Sequence, residues 1–290
     1  AKAALARHRP YIIGVTGNLG KTSTKDAIYA VMKDTYHTRR SEKSMNSEFG
    51  VPLTILGEKS GWNNPLKWLL VIVRGFFVPF QKDYPTHLVL EIGADRPDDI
   101  KSIASWIKPD VVVVTQFGQV PVHIEFFPNR DAVIEEKGRL VEALKKSGVF
   151  IYNKDDHDAI KLLGKTEAKK VSIGIHEAAD IRAEGVRFYG MPIEGTEAEV
   201  SVDGKKERLV LTEVAGKSPV YCALPALAVA RELGIPTEKA IKALYDEPKP
   251  KGRMRLLVGM NNSTIIDDSY NASPKATEHG LKTLSEIETS

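Results

Sequence analysis

The chain has 290 residues, of which 42% are hydrophobic and 27% charged, as in an ordinary globular protein. Its 41 Lys and Arg residues exceed its 38 Asp and Glu residues by only three, too small an excess for a nucleic-acid-binding protein of this length. The one cysteine, Cys222, excludes an intrachain disulfide framework and a cysteine-based zinc site, and it fits a reducing cytoplasm. Because the chain starts at Ala1 rather than Met and stops within a helix-like stretch, we expect a fragment of a longer protein.

Up to about residue 168, apolar runs alternate with amphipathic helical stretches. This order predicts an α/β fold with a mostly parallel sheet flanked by helices on both faces. The predicted strands are 11–17, 86–95, 110–116 and 148–156, and the predicted helices are 22–34, 97–107 and 130–147.

The second half of the chain has a different pattern. Four short alternating segments, 169–175, 180–188, 196–203 and 206–213, predict an antiparallel β meander inserted in the same domain over about 169–213. Asp203-Gly204 predicts a hairpin turn between the last two. Helices are predicted at 219–233 and 237–246, and the Pro- and Lys-rich stretch 247–252 indicates a boundary. We therefore expect one domain over 1–248 and the beginning of a second, truncated α/β domain over 249–290.

The segment 65–80, PLKWLLVIVRGFFVPF, is strongly apolar. It is too short to span a membrane, and Arg74 interrupts it. We favour a buried or partner-facing helix; the alternative is a segment that docks on a membrane surface or on a protein.

A glycine-rich stretch, GVTGNLGKTSTK (14–25), follows the first predicted strand and opens a helix. In this context backbone amides and the helix N-terminus bind phosphate oxygens, so the stretch predicts a nucleotide-binding site. Lys21 would reach the β- and γ-phosphates, and the Thr22 hydroxyl would bind Mg²⁺. Val15 occupies the place of the first Gly of the common G-x-x-x-x-G-K-[ST] pattern. A glycine-rich turn with an incidental lysine is the alternative. The predicted nucleotide-binding residues of the loop are Gly17, Asn18, Gly20, Lys21, Thr22 and Ser23.

The loop variant V-T-G-x-x-G-K-T resembles the phosphate loop of the Mur ligase family, and further segments resemble motifs of that family in order. They are SMNSEFGVPLTIL (44–56), EIGAD (91–95), TQFGQVPVHIEFF (115–127), EEKGRL (135–140), YNKDD (152–156) and GRMRLLVGMNNSTIIDDSYNASP (252–274). The resemblance extends from about residue 11 to 285. It implies a central ATP-binding domain followed by the start of a C-terminal domain.

The resemblance also implies roles for single residues. Lys21, Glu91, His123 and Lys137 would be catalytic, with Lys137 carbamylated so that it can bind metal together with Thr22, Glu91 and His123. Asn46 and Glu48 would contact substrate, and Asn153, Arg253 and Asp268 would contact the nucleotide. Alternation along a strand places Asp267 and Asp268 on opposite faces, so we expect one functional and one structural aspartate.

One segment departs from the family. GKSPVYCALPALAVARELGI (216–235) lies where the family has G-x-H-N-x-x-N-A-L-A-A, and Ser218, Pro219 and Cys222 replace the His and both Asn residues. This substitution leaves open how adenine is held.

The resemblance implies a cytoplasmic, monomeric enzyme of peptidoglycan synthesis that uses ATP and Mg²⁺. Its substrates would be a UDP-MurNAc-peptide and D-Ala-D-Ala, joined through an acyl phosphate, with no role for nucleic acid. Two alternatives remain. One is another ligase of the superfamily, such as a folylpolyglutamate synthase-like enzyme, against which the NSEFGVP and DDSYNASP segments argue. The other is a non-catalytic nucleotide-binding or scaffold module, which the loss of the His-Asn-Asn positions favours.

Overall fold

The computed structural model describes residues 1–42, 45–118, 124–190, 192–270 and 273–287, without the side chain of Asn262. Its centre is a nine-stranded sheet with the order β2-β3-β1-β4-β5-β6-β7-β8-β9, accompanied by a separate two-stranded sheet, β10-β11. The strands are β1 Tyr11–Thr16, β2 Thr38–Arg40, β3 His87–Glu91, β4 Val111–Val114, β5 Val149–Asn153, β6 Lys169–Gly174, β7 Ile181–Tyr189, β8 Gly195–Val202, β9 Lys205–Thr212, β10 Arg255–Val258 and β11 Thr264–Asp267. The helices are α1 Lys2–His8, α2 Lys21–Met32, α3 Gly50–Leu56, α4 Pro65–Phe77, α5 Asp99–Ala104, α6 Arg130–Glu142, α7 His157–Lys161, α8 Lys217–Glu232, α9 Thr237–Asp246 and α10 Pro274–Ser285.

The strands from β2 to β7 all pair in parallel, which confirms the predicted fold class. Strand β4 consists of four valines that are all buried, as expected of a strand covered by helices on both faces. Strand β1 lies between β3 and β4, so the strand order reverses beside it. In open α/β sheets, ligands bind in the crevice beyond the carboxyl ends of the strands at such a reversal.

The antiparallel part is shorter than the sequence predicted. Strand β6 was expected to open the meander, but it pairs in parallel with β5 over its length and with β7 at its end. The reason is that α7 and a short 3₁₀ helix carry the chain from β5 to β6, which makes a β-α-β unit. Antiparallel pairing is confined to β7, β8 and β9. The predicted hairpin is confirmed, because Asp203 and Gly204 both have positive φ and join Val202 to Lys205.

Two apolar clusters cover the two faces of the sheet. One contains Ile28 of α2 and Leu224 of α8. The other contains Ile55 of α3, Ile103 of α5 and Leu140 of α6. The result is a three-layer arrangement in which α2 and α8 stabilise the strand ends around the first loop.

Residues after the Pro- and Lys-rich stretch fold back on the large sheet. The Leu256 amide donates to the carbonyl of Glu213 (2.8 Å), and the Ala215 amide donates to the carbonyl of Met254 (2.9 Å). Thr283 of α10 is buried beside Gly216. These contacts hold the 252–287 segment over the carboxyl edge of the parallel strands.

Helix α4 is not buried, so of the buried or partner-facing helix that we favoured only the partner-facing form remains. Only Val71 of the helix is buried, and most of its large apolar side chains are exposed. Among the described residues, no helix combines the length and apolarity needed to cross a membrane.

Candidate nucleotide and metal site

A cavity of about 400 Å³ lies beyond the carboxyl ends of β1, β3, β4 and β5. It brings together most of the residues that the sequence analysis selected. Those lining it are Asn18, Gly20, Lys21, Thr22, Ser23, Asn46, Glu91, Lys137, Asn153, Arg253 and Asp268.

Two of the selected residues that the structure describes do not line the cavity. Gly17 belongs to the loop but does not line the cavity, and Glu48 is exposed outside it. His123 lies outside the described residues.

The loop between β1 and α2 is held against the end of β4. The amides of Asn18 and Leu19 both donate to the carbonyl of Gln116, at 2.8 and 3.0 Å. Gly17 has φ 134°, and a Cβ there would lie 2.1 Å from Thr115 Oγ1, so only glycine fits. Because these two amides are engaged, the donors left for an anion are the first-turn amides of α2, which have no partner inside the helix.

Two loop side chains add donors to this anion site. The Asn18 Nδ2 group is buried and has no hydrogen-bond partner among the described residues. Lys21 Nζ donates to the Asn18 carbonyl at 3.2 Å. Burial lowers the pKa of Lys21, which indicates that its charge lacks full solvation. A phosphate at the start of α2 would satisfy both groups.

Glu91, at the end of β3, is buried and engaged on both oxygens. The Thr22 hydroxyl donates to Oε2 at 2.9 Å, and Asn46 Nδ2 donates to Oε1 at 3.1 Å. Lys25 Nζ lies 3.9 Å from Oε2. Arg253 Nη2 donates to Thr22 Oγ1 at 3.1 Å, so two cationic groups already gather around these oxygens.

This donor set fits Mg²⁺. The ion binds hard oxygens and often uses one or two protein ligands together with phosphate oxygens. Thr22 and Glu91 supply a hydroxyl and a carboxylate in contact with each other. Within the described ranges, no three His, Cys, Asp or Glu side chains form a metal-binding group.

Lys137 of α6 is almost fully buried and lines the same cavity. Burial, together with the charge of Lys21, lowers the pKa of Lys137 to about 7. Its neighbour Glu136 has a different function, because its carboxylate accepts the amides of Ile100 (2.7 Å) and Lys101 at the start of α5. Adjacent residues thus serve the cavity and the helix packing separately.

Asp267 ends β11 and Asp268 follows it, and only Asp268 lines the cavity. Asp268 lines the cavity and accepts the Met254 amide at 3.1 Å. Asp267 accepts hydrogen bonds from Ser269 and Gly252 and does not line the cavity. The Tyr270 ring helps to position Arg253, because the guanidinium carbon lies over that ring, 4.1 Å from its centroid.

The positions that depart from the family lie on α8, and Cys222 reaches the phosphate loop, since its Sγ lies 3.7 Å from the Gly20 carbonyl. Ser218 and Cys222 both line the cavity. His279 of α10 lies beside them, with Nδ1 3.2 Å from Ser218 Oγ. Tyr221 donates its hydroxyl to Asp155 at 2.8 Å. An imidazole from α10 thus stands next to the position at which the family motif has its histidine.

Sequence reasoning missed two residues of this site. His279 is separated from Ser218 by 61 positions, and no motif spacing connects them. Lys25 is 1% exposed beside Glu91. It lies four residues after Lys21, on the same face of α2, and that spacing could have identified it.

Comparison with known proteins gives a consistent result. The model of the Mur ligase middle domain matches residues 15–230. The UDP-N-acetylmuramoyl-tripeptide–D-alanyl-D-alanine ligase of Bacillus subtilis (strain 168) is 27% identical over 99% of the chain, and the match covers 56% of that relative. A crystal structure of MurF from Acinetobacter baumannii aligns with a TM-score of 0.80 at 21% identity, over 99% of this chain and 56% of that one.

A MurF ligase from Thermotoga maritima in complex with ADP aligns with a TM-score of 0.77 at 24% identity, over 99% of this chain and 61% of that one. The chain therefore spans little more than half the length of these proteins. The family model covers most of the chain, and it includes the phosphate loop, Glu91, Lys137 and the start of α8. The chain belongs to the Mur ligase family, whose middle domain it contains.

Proposed function

We propose that this chain is the ATP-binding part of a ligase that forms an amide bond in peptidoglycan precursor synthesis. The observation that carries the proposal is the cavity in which Lys21, Thr22 and Glu91 lie together with Lys137. A phosphoryl-transfer enzyme needs such an arrangement, because its contribution is mainly positioning and charge neutralisation.

The nucleotide phosphates would bind at the start of α2. The first-turn amides, Asn18 Nδ2 and Lys21 Nζ would be the donors, because Asn18 Nδ2 is buried without a partner among the described residues and Lys21 lines the cavity. Asn153, which lines the cavity and uses Oδ1 to accept the Asp155 amide, would stand beside the nucleotide. Arg253 and Asp268 would contact it from the opposite wall.

Mg²⁺ would be held by Thr22 and Glu91, and it would neutralise the charge on the β- and γ-phosphate oxygens. Lys137, once carbamylated, would supply a second carboxylate-like ligand together with His123. A lysine with a pKa of about 7 has a substantial neutral fraction at neutral pH, and carbamylation needs the neutral amine.

The adenine would bind at the α8 end of the cavity. Ser218, Pro219 and Cys222 offer fewer hydrogen-bonding groups than the His and Asn residues of the family motif. We propose that His279 compensates, because it lines the same cavity and contacts Ser218.

The proposed reaction has two steps. A substrate carboxylate attacks the γ-phosphorus of ATP, which gives an acyl phosphate and ADP. The amine of the second substrate then attacks the acyl carbon, and phosphate leaves. The relatives are named for a UDP-N-acetylmuramoyl-tripeptide and D-alanyl-D-alanine, and we propose a UDP-MurNAc-peptide and D-Ala-D-Ala as the substrates here. Asn46 would orient Glu91 at the substrate side, and exposed Glu48 would face a substrate bound outside the cavity.

The organisation of the protein belongs to the same proposal. Residues 1–248 would form the central domain, and residues 249–290 would open a C-terminal domain, since β10 and β11 form a sheet of their own. We propose a monomer that works in the cytoplasm; light scattering of the full-length protein tests the oligomeric state.

The first experiment measures ATP·Mg²⁺ binding to the full-length protein by calorimetry. Replacing Lys21 with Ala removes a charged hydrogen-bond donor and should weaken binding roughly 100-fold. Replacing Lys108, an exposed lysine outside the cavity, with Ala is the matched control and should leave affinity unchanged. Equal affinity of Lys21→Ala and the wild type would refute the phosphate-loop assignment.

The second experiment tests the reaction itself. Phosphate release by the full-length protein should require both a UDP-MurNAc-peptide and D-Ala-D-Ala. Release that instead requires glutamate and a folate would support the folylpolyglutamate synthase-like alternative. ATP binding without any substrate-dependent release would support the non-catalytic module.

A further inference from the structure

The most unusual surface of the molecule is formed by α4 and the short 3₁₀ helix that follows it, Val78–Phe80. Eight large apolar side chains here are exposed, at fractions between 47% and 73%. They are Leu66, Leu69, Leu70, Ile72, Val73, Phe76, Phe77 and Phe80. Isolated exposed apolar side chains are common, but a contiguous group of this size marks a binding surface.

Helix periodicity explains how the segment attaches to the body of the protein. The positions that are at least partly buried are 68, 71, 75, 78 and 79, which lie on one face of a helix. At about 100° per residue, the eight exposed apolar side chains occupy one continuous arc of roughly 160° on the opposite side. Lys67 and Arg74 lie at one border of this arc, and no charged residue lies within it.

The charge of the surrounding segment is one-sided. Residues 59–82 contain four cations, Lys59, Lys67, Arg74 and Lys82, and no Asp or Glu. Lys59 lies 3.4 Å from Glu42 and Arg74 lies 3.8 Å from Glu58, so two of the four cations have an acidic neighbour outside the segment. Trp62, 84% exposed, stands at the start of the segment. Tryptophan is enriched where an apolar layer meets water.

This combination of an apolar arc, bordering cations and an exposed tryptophan matches a helix that lies in the interface of an anionic lipid bilayer. The 13-residue helix is about 20 Å long, short of the roughly 30 Å needed to span. A protein partner or a second copy would also cover apolar area, but neither explains why the segment has four cations and no acid.

We propose that residues 59–82 dock the protein on an anionic membrane surface, with the apolar arc in the lipid and the cations at the headgroups. The described cavity at the phosphate loop draws no lining residue from this segment. Docking therefore leaves the nucleotide site open, and the proposal does not depend on the reaction assigned above.

The test measures sedimentation of the full-length protein with vesicles of phosphatidylcholine alone or with added phosphatidylglycerol. The wild type should bind the anionic vesicles at least about tenfold more strongly than the neutral ones. The double variant Leu69→Glu/Phe76→Glu places charges in the arc and should abolish binding. The matched control Val258→Glu/Met260→Glu changes two side chains that are 86% and 88% exposed outside the segment, and it should bind as the wild type does.

A second variant, Lys67→Gln/Lys82→Gln, keeps the arc intact and should lower affinity for anionic vesicles roughly 30-fold. ATP binding by every variant checks folding, and this second variant decides the question if the arc variant does not fold. Failure of the wild type to bind anionic vesicles, or equal binding by all variants, would overturn the proposal. Concentration-dependent self-association that the arc variant abolishes, without vesicle binding, would assign the surface to a second copy instead.

Discussion

At the scale of single residues, the neighbours Lys137 and Glu136 of α6 differ in what their side chains contact. Both side chains are buried, yet Glu136 is satisfied by two amides of α5, whereas Lys137 faces the cavity with its pKa lowered to about 7. An ordinary lysine titrates near 10.4. Burial lowers the pKa of Lys21 as well, and it lowers that of Lys137 to about 7, so Lys137 has an accessible neutral form at physiological pH.

We expect Lys137 to react with CO₂ in a pH-dependent way. Because its pKa is about 7, the neutral fraction rises as pH increases from 6 to 8, and carbamylation at constant dissolved CO₂ should rise with it. Carbon-13 NMR with labelled CO₂ should show a carbamate signal that grows over this range. The variant Lys137→Arg should lack the signal, and a signal of wild-type intensity in that variant would assign the carbamate to another lysine.

At the scale of elements, the phosphate loop depends on the strand beside it. Gly17 has φ 134° and no room for a Cβ, because a Cβ there would lie 2.1 Å from Oγ1 of Thr115, the residue directly after β4. Thr115 itself donates to the Leu19 carbonyl at 2.7 Å. The loop conformation is therefore set by a strand that lies almost 100 residues later in the chain.

Replacing Gly17 with Ala should destabilise the protein by about 1–3 kcal/mol, because the new Cβ meets both an unfavourable φ and the Thr115 side chain. Urea unfolding measures this change, and nucleotide affinity should fall with it because the loop must shift. The control Gly164→Ala introduces a Cβ with no heavy atom within 4 Å and should change stability by much less. Equal midpoints for the two variants would contradict this account of the loop.

At the scale of the whole molecule, the cavity is completed by the 252–287 segment. Arg253 contacts Thr22 of the phosphate loop, and His279 contacts Ser218 of α8. One wall of the proposed nucleotide site thus comes from the part of the chain that follows the boundary, so we expect nucleotide binding and the position of this segment to be coupled.

This coupling predicts a distinction between the two ends of the nucleotide. The variant His279→Ala should weaken ATP binding severalfold but leave tripolyphosphate binding unchanged, because tripolyphosphate lacks the base. Calorimetry with both ligands measures the ratio. A parallel loss for both ligands would show that His279 acts through the fold rather than at the base end.

The sequence by itself determined the phosphate loop, the α/β class and the order of the motifs. It could do so because the placement of glycines, the apolar periodicity and the position of Lys21 and Thr22 directly after Gly20 are local properties of the chain. It also predicted the turn at Asp203-Gly204, since two positive φ angles require particular residues.

Only the tertiary structure decided which distant residues meet. The parallel pairing of β6 depends on the crossover through α7. The position of His279 beside Ser218 depends on how α10 packs on α8. The exposure of α4 depends on which of its faces packs against the rest of the protein. Each is set by long-range packing, for which a local sequence pattern has no signal.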